Sequence, residues 1–278
     1  MSAFLTLVHL TLHEAMRRRV LVATLVGAAA FLIVFGIGFH FVVRDAVQDT
    51  AMTGIRRRMV LNLFTLAGLY ATHFLSVMTS VLLPVDTLSG EIGSGVLQTV
   101  ASKPVRRRDI VLGKWAAYAI VAGGYTLLVS TGVLLVARLL GGFTPPGLST
   151  GLPLMVFESM LLVTLSIFGG SRFSTVTNGI LAFALYGLAF IGGWVDQIGT
   201  MVDNAAARNV GTVVSLIMPS EAMWQRAAYH MQPAIMRDLG LSPFSPASLP
   251  SVAMVVWAAG WALLLLVLAV RGLQRRAL

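Results

Sequence analysis

Residues 86–114 read DTLSGEIGSGVLQTVASKPVRRRDIVLGK. On a helical wheel Leu88, Ile92, Val96 and Val100 form one stripe, while Glu91, Ser94, Gln98 and Ser102 form the opposite face. The pattern predicts a short amphipathic helix over 88–102. Gly90, Gly93 and Gly95 each weaken a helix relative to alanine, so this one needs a docking surface to be well ordered. Pro104 stops it, because proline lacks the amide hydrogen that a continuing helix needs. Arg106–Arg108 then anchor the chain at a membrane surface. Long apolar runs lie on both sides, so the segment reads as a helix lying flat between two membrane spans, its polar face turned outward.

A transmembrane helix needs roughly 20 mainly apolar residues. Six runs serve: 20–43, 59–85, 110–137, 152–169, 173–195 and 249–270. The first has no charge between Arg19 and Arg44, which is too long for a signal-peptide core of roughly 7–15 residues and predicts that it is not cleaved. Pro145-Pro146-Gly147 separates the third run from the fourth. None of the runs alternates polar and apolar residues as barrel strands do, so helices are expected. Composition agrees: 57% hydrophobic, 11% charged, mean hydropathy +0.85. A soluble domain carries roughly 25% charged residues to wet its surface, and disorder requires low hydrophobicity; both classes are excluded. The expected fold is all-α, a polytopic membrane protein with six transmembrane helices. With no cysteine, disulfides, thiolate metal sites and cysteine nucleophiles drop out. Ala67/Ala71, Ser76/Ser80 and Ala119/Gly123 set small residues four apart, which either lets helices approach closely or reflects an alanine- and glycine-rich chain.

The net charge of +9 sits in short clusters beside apolar runs, a placement that suits anionic lipid headgroups and not nucleic acid. With the N-terminus inside, twelve Lys and Arg face the cytoplasm and eight face out, so both termini are expected to be cytoplasmic. Arg56–Arg58 count against that orientation. Residues 196–248 then form an extracytoplasmic loop. Within it, 209–220 is uncharged but too short to span, which predicts a re-entrant or interfacial helix. The stretch from Ser220 to Met231, with Glu221, Trp224 and Tyr229, suits a headgroup boundary. At the N-terminus, residues 3–19 predict an interfacial helix with Phe4, Leu5, Val8, Leu12, Ala15 and Met16 on one face, and His9, His13, Glu14 and Arg17 on the other. Glu14 precedes Arg18 by four residues, the favourable order for an ion pair. His9 and His13 have a metal-compatible spacing, but no third ligand accompanies them and no metal site is assigned.

The central stretch resembles the ABC-2 type permeases, the membrane subunits of one class of ATP-driven transporter. Glu91, Gly95, Leu97, Ser102, Lys103, Pro104, Val105, Arg107, Asp109, Gly113 and Lys114 follow the family pattern in order and spacing. Glu14-Ala-Met-Arg17 looks like the family's N-terminal interfacial helix, and Leu216-Ile-Met-Pro219-Ser-Glu221 is loosely similar to its proline-containing stretch before the last span. Within the family, the plan most resembles permeases linked to copper-enzyme maturation. The resemblance implies a plasma (inner) membrane protein whose segment 88–102 is the coupling helix. Glu91, Ser94, Gly95, Leu97, Gln98, Pro104 and Arg107 would meet a cytoplasmic ATPase subunit, and Glu14, Arg17 and Arg18 would belong to the interfacial helix. It also implies a dimer with a second permease subunit, alike or different. The chain has no Gly-x-x-x-x-Gly-Lys-[Ser/Thr] motif, since Gly113-Lys114 is followed by Trp115. No cofactor is therefore expected in this chain, and ATP and Mg would sit on the partner subunit.

Glu158 is the one carboxyl inside a span; such a group faces the bundle interior or a cavity, where it can serve a substrate pathway or gating, or else it lies nearer the interface than these limits put it. His73 is a second candidate there, with structural polar contact as the plainer role, which also suits His40. The thirteen methionines are scattered and read as apolar filler. Three functions stay open: an ATP-driven exporter; a mechanotransmitter that works on a periplasmic partner through 196–248 with nothing passing; and a secondary transporter or membrane-embedded enzyme. The enzyme lacks a recognisable catalytic constellation and the secondary transporter lacks clear repeats.

Overall fold

A computed structural model describes residues 3–48, 54–96, 105–239 and 249–275, and over these residues the chain is helical with no strand. In chain order the helices are α1 (Ala3–Met16), α2 (Arg19–Gln48), α3 (Gly54–Leu82), α4 (Ser89–Gly93), α5 (Arg107–Gly141), α6 (Leu148–Gly170), α7 (Thr175–Met201), α8 (Ala205–Ile217), α9 (Ser220–His230), α10 (Ala234–Leu239) and α11 (Val252–Gln274). Six are long and apolar enough to cross a membrane: α2, α3, α5, α6, α7 and α11. With no water in the bilayer core, each must bond its own backbone, which continuous helix does.

Short polar residues and one glycine end these helices where the apolar runs end. Ser174, Asn204 and Ser251 cap α7, α8 and α11 by accepting from the amides of Thr177, Ala207 and Met254. At Gly142 the chain leaves α5 in the left-handed conformation, and its cap amides bond Ala137 and Arg138 carbonyls. The second span differs from its expected limits. It starts at Gly54, so Arg56–Arg58 lie on its first turns, and it stops at Leu82, two residues before Pro84.

The most buried span is α6, which packs against α3, α5, α7, α9 and α11; α2 and α11 are the least buried. Hydrophobic burial does not drive spans together in lipid, so close packing and interhelical hydrogen bonds hold them. One core joins Leu66, Leu69, Val133, Met155, Leu161 and Trp224; another, toward the ends of α3 and α11, joins Leu83, Leu88, Ile110, Tyr118, Ile167 and Leu273. Of the small-residue pairs, Ala119/Gly123 lies at a real helix contact, where a side chain at Gly123 would meet Val156. Ser76 and Ser80 are both buried, Ala67 and Ala71 are half-buried, and α3 comes close to its neighbours at Gly68, where a side chain would meet Phe35 and Val133.

One face of α1 is docked on α5, rotated from the expected one. Leu7, Thr11 and Ala15 face inward, whereas Leu5 and Met16 are exposed. The cause is Gly113: a Cβ there would lie 2.9 Å from Leu7 Cβ and 3.6 Å from the Phe4 carbonyl oxygen, so small residues, and not the most apolar ones, set the contact. Gly113→Leu should lift α1 off α5 and cost about 1–3 kcal/mol. Faster amide exchange over residues 3–16 together with a lower thermal midpoint checks this.

A latched surface helix and a buried ionisable cluster

At the end of the bundle that holds α1 and the start of α5, the chain leaves α3 at Leu82, turns through 83–88 and enters α4. Leu88 is fully buried, and Ile92 packs beside it on the core around Ile110 and Val111. The Ser89 hydroxyl shares a 2.8 Å hydrogen bond with Thr175 at the start of α7. Asn178 donates to the Val85 carbonyl at 3.0 Å and to the Ser166 carbonyl at 2.8 Å. The short helix is thus fixed to two spans before any charge is considered.

Glu91 does not point freely outward, as its place on the polar face suggested. It accepts a 2.5 Å hydrogen bond from Lys114 Nζ on α5, and both side chains are largely buried. Burying an ammonium is tolerable only with a partner carboxylate, which explains the tilt of Glu91 toward the bundle. Ser94 ends α4 on the exposed side, and Gly95 turns the chain with φ 76°, a conformation that L side chains avoid. Leu97, Gln98 and Pro104 lie outside the described residues, as does most of the second half of the expected 88–102 helix.

A second latch sits beside the first. Arg18 donates to Asp86 in the turn after α3 and, at 2.6 Å, to Glu14 in α1; it also lies over the Tyr118 ring. Partial burial opposes the charge on Arg18, but Tyr118, Glu14 and Asp86 outweigh it and raise the pKa further above its ordinary value. Arg17 is exposed. Arg107, which the resemblance places at the ATPase contact, donates to the Leu273 and Gln274 carbonyls at 3.1 and 3.0 Å, on the last turn of α11. The last carbonyls of a helix generally lack intrahelical partners, and a cation there also suits the helix dipole. Arg107→Met should fray α11 at a cost of about 1 kcal/mol, read as faster amide exchange over residues 268–275.

Glu158 of α6 and His73 of α3, singled out separately in the sequence, meet in the bundle interior. Nδ1 of His73 lies 2.9 Å from Glu158 Oε2, and both residues are almost completely buried. On the other side of the ring, Nε2 is 3.0 Å from the Tyr186 hydroxyl of α7 and 3.7 Å from Oε2 of Glu221 on α9. Trp224 stacks on the imidazole with centroids 5.0 Å apart, and Tyr70 stacks at 5.8 Å. Glu221 and Trp224 were expected at a headgroup boundary; both are buried against α6 and α3 instead, because the carboxyl finds an imidazole there and the indole a ring to cover. Tyr186 and Glu221 had no local signal beyond the loosely matching Pro219-Ser220-Glu221. The cluster ties α3, α6, α7 and α9 together, and an imidazole between two carboxyls can hold and pass a proton.

A family model described as ABC-2 family transporter protein matches residues 6–278. It does not reach the copper-maturation subgroup. No curated protein matches the chain. ABC-2 permeases work with an ABC ATPase subunit, and six apolar spans fit a multi-pass membrane subunit. A match over nearly the whole chain, on a bundle of this architecture, leads to one conclusion: the chain belongs to the ABC-2 transporter family and is the transmembrane subunit of an ABC transporter.

Proposed function

We propose that this permease subunit receives ATP-driven motion through α4 and the chain that follows it, and passes it into the bundle to move a substrate outward. The observation that carries the reading is the double latch. Glu91–Lys114 joins α4 to α5, and Arg18–Asp86 joins the turn before α4 to the junction of α1 and α2, where Arg18 also holds Glu14 of α1. A partner pressing on a helix so tied displaces α1, α3, α5 and α7 together, a rigid-body movement of the kind that packed helices transmit.

In this reading both termini and α4 face the cytoplasm at the plasma membrane, and α1 lies at the lipid boundary with Leu5, Leu10 and Met16 exposed. The partner ATPase holds ATP and Mg, a second permease subunit completes the complex, and nucleic acid has no part. The test is purification of the tagged chain with its ATPase, reconstitution, and measurement of ATP turnover. Val96→Pro, placed just past α4, should uncouple turnover from the permease at least tenfold while the complex stays assembled. Unchanged coupling overturns the assignment of this segment.

A second reading draws support from the α7–α8–α9 packing. Of these, α8 lies along α7 and α9 is buried against α6, so movement of the spans carries directly into residues 205–230. That linkage suits mechanical work on a periplasmic partner as well as it suits a gate. Crosslinking from residues in α8 that captures a periplasmic protein, with no substrate flux in vesicles, favours it over export.

A further inference from the structure

The geometry points to a proton-binding site built from His73, Glu158 and Glu221, whose occupancy decides whether α9 stays docked in the bundle. This holds whether the complex exports or transmits force, since it concerns the chain's own interior. The groups facing one another come from four helices: His73 and Tyr70 from α3, Glu158 from α6, Tyr186 from α7 and Glu221 from α9. Trp261 of α11 packs nearby and does not titrate. The charged groups acting on the three are one another: Glu158 and Glu221 on His73, His73 on Glu158, and His73 with Glu158 on Glu221.

Charge counting then fixes the proton content. With an imidazolium and two carboxylates the site carries one net negative charge; with one further proton on a carboxyl it is neutral. A net charge in a closed apolar bundle is expensive, so the docked state keeps two protons among three groups. Two carboxyl oxygens support this. Oε1 of Glu158 and Oε2 of Glu221 are buried and have no hydrogen-bond partner among the described residues, so each is a site where a proton can reside. Loss of the second proton sets two carboxylates on either side of one imidazolium. Glu158 is held in the middle of α6, whereas Glu221 sits in the first turn of α9, directly after Pro219 and outside the six spans. The element that yields is α9. Its departure opens the interior around His73 to the side from which α8 and α9 enter, and reprotonation draws it back.

The test uses the full chain in lipid nanodiscs. Trp224 stacks on His73, and a protonated imidazole quenches indole, so tryptophan emission reports the site. Between about pH 5 and 9 we expect one reversible emission transition, lost in Trp224→Phe and displaced or lost in Glu221→Gln. Hydrogen exchange of the unmodified chain, corrected for the intrinsic pH dependence, should rise about tenfold or more over residues 220–230 on the alkaline side of that transition, with α6 unchanged. This second measurement needs no variant and stands if a substitution fails to fold. The proposal is overturned by emission that does not depend on Trp224, by exchange over 220–230 that stays flat with pH, or by sodium or potassium at constant pH producing the same transition, which would make the site one for metal cations.

Discussion

Replacing His73 by leucine should lower the thermal midpoint of the detergent-purified chain by more than any other substitution considered above. Among the described residues the His73 imidazole is the one group between Glu158 and Glu221 that can carry a positive charge, and the two carboxyls are 3% and 5% exposed. Without it, two carboxyls share an apolar interior and at least one loses its hydrogen bond. Breaking a buried pair in this way costs about 3–5 kcal/mol, which for a chain of this size is roughly 6–20 °C in midpoint. The control is a triple variant, His73→Leu with Glu158→Gln and Glu221→Gln, which removes the charges as well as their partner and should recover at least half of the loss. A single variant within about 2 °C of the parent would mean that the cluster is hydrated and its charges are not confined.

The second large effect is expected at the other latch, and there the readout is coupling. Lys114 is nearly inaccessible while Glu91 keeps some contact with solvent, so the two truncations are not equivalent. Glu91→Gln strands a buried ammonium and should cost about 2–3 kcal/mol, below the full buried-pair value because the pair is partly solvated. Lys114→Met leaves a carboxylate that can turn to water, and costs less. Both cut the tie between α4 and α5, so both should reduce coupling of ATP turnover to the permease roughly tenfold in the reconstituted complex. The charge exchange Glu91→Lys with Lys114→Glu separates the two effects: recovery of coupling shows that the tie itself matters, and continued uncoupling with a restored midpoint shows that it does not.

Much of the fold was legible because lipid leaves the backbone few options, and six long apolar runs had to be helices. The exact ends were not. Arginines can begin a helix at a wet boundary, so α3 started before Met59 and took in Arg56–Arg58. A wheel ranks faces by apolarity, whereas α1 chose its face by fit, with Thr11 and Ala15 turned inward because Gly113 lets its backbone come close. The same limit applied to Glu91, whose polarity said water and whose neighbour, 23 residues on, said otherwise. Glu158 and His73 were each visible as costly groups in apolar surroundings. Nothing in a spacing of 85 residues could pair them, and Glu221 was further hidden in what looked like loop.

The ion pair between Glu91 and Lys114 also has a mechanical meaning. It ties α4 to the start of α5, where both meet the bundle. A free tip can only be pushed, since it buckles or slides when drawn away. A helix tied to its neighbour carries tension as well as compression, so under the proposed coupling role an ATPase gripping α4 would haul the spans back after driving them, and the return stroke would not wait for thermal relaxation.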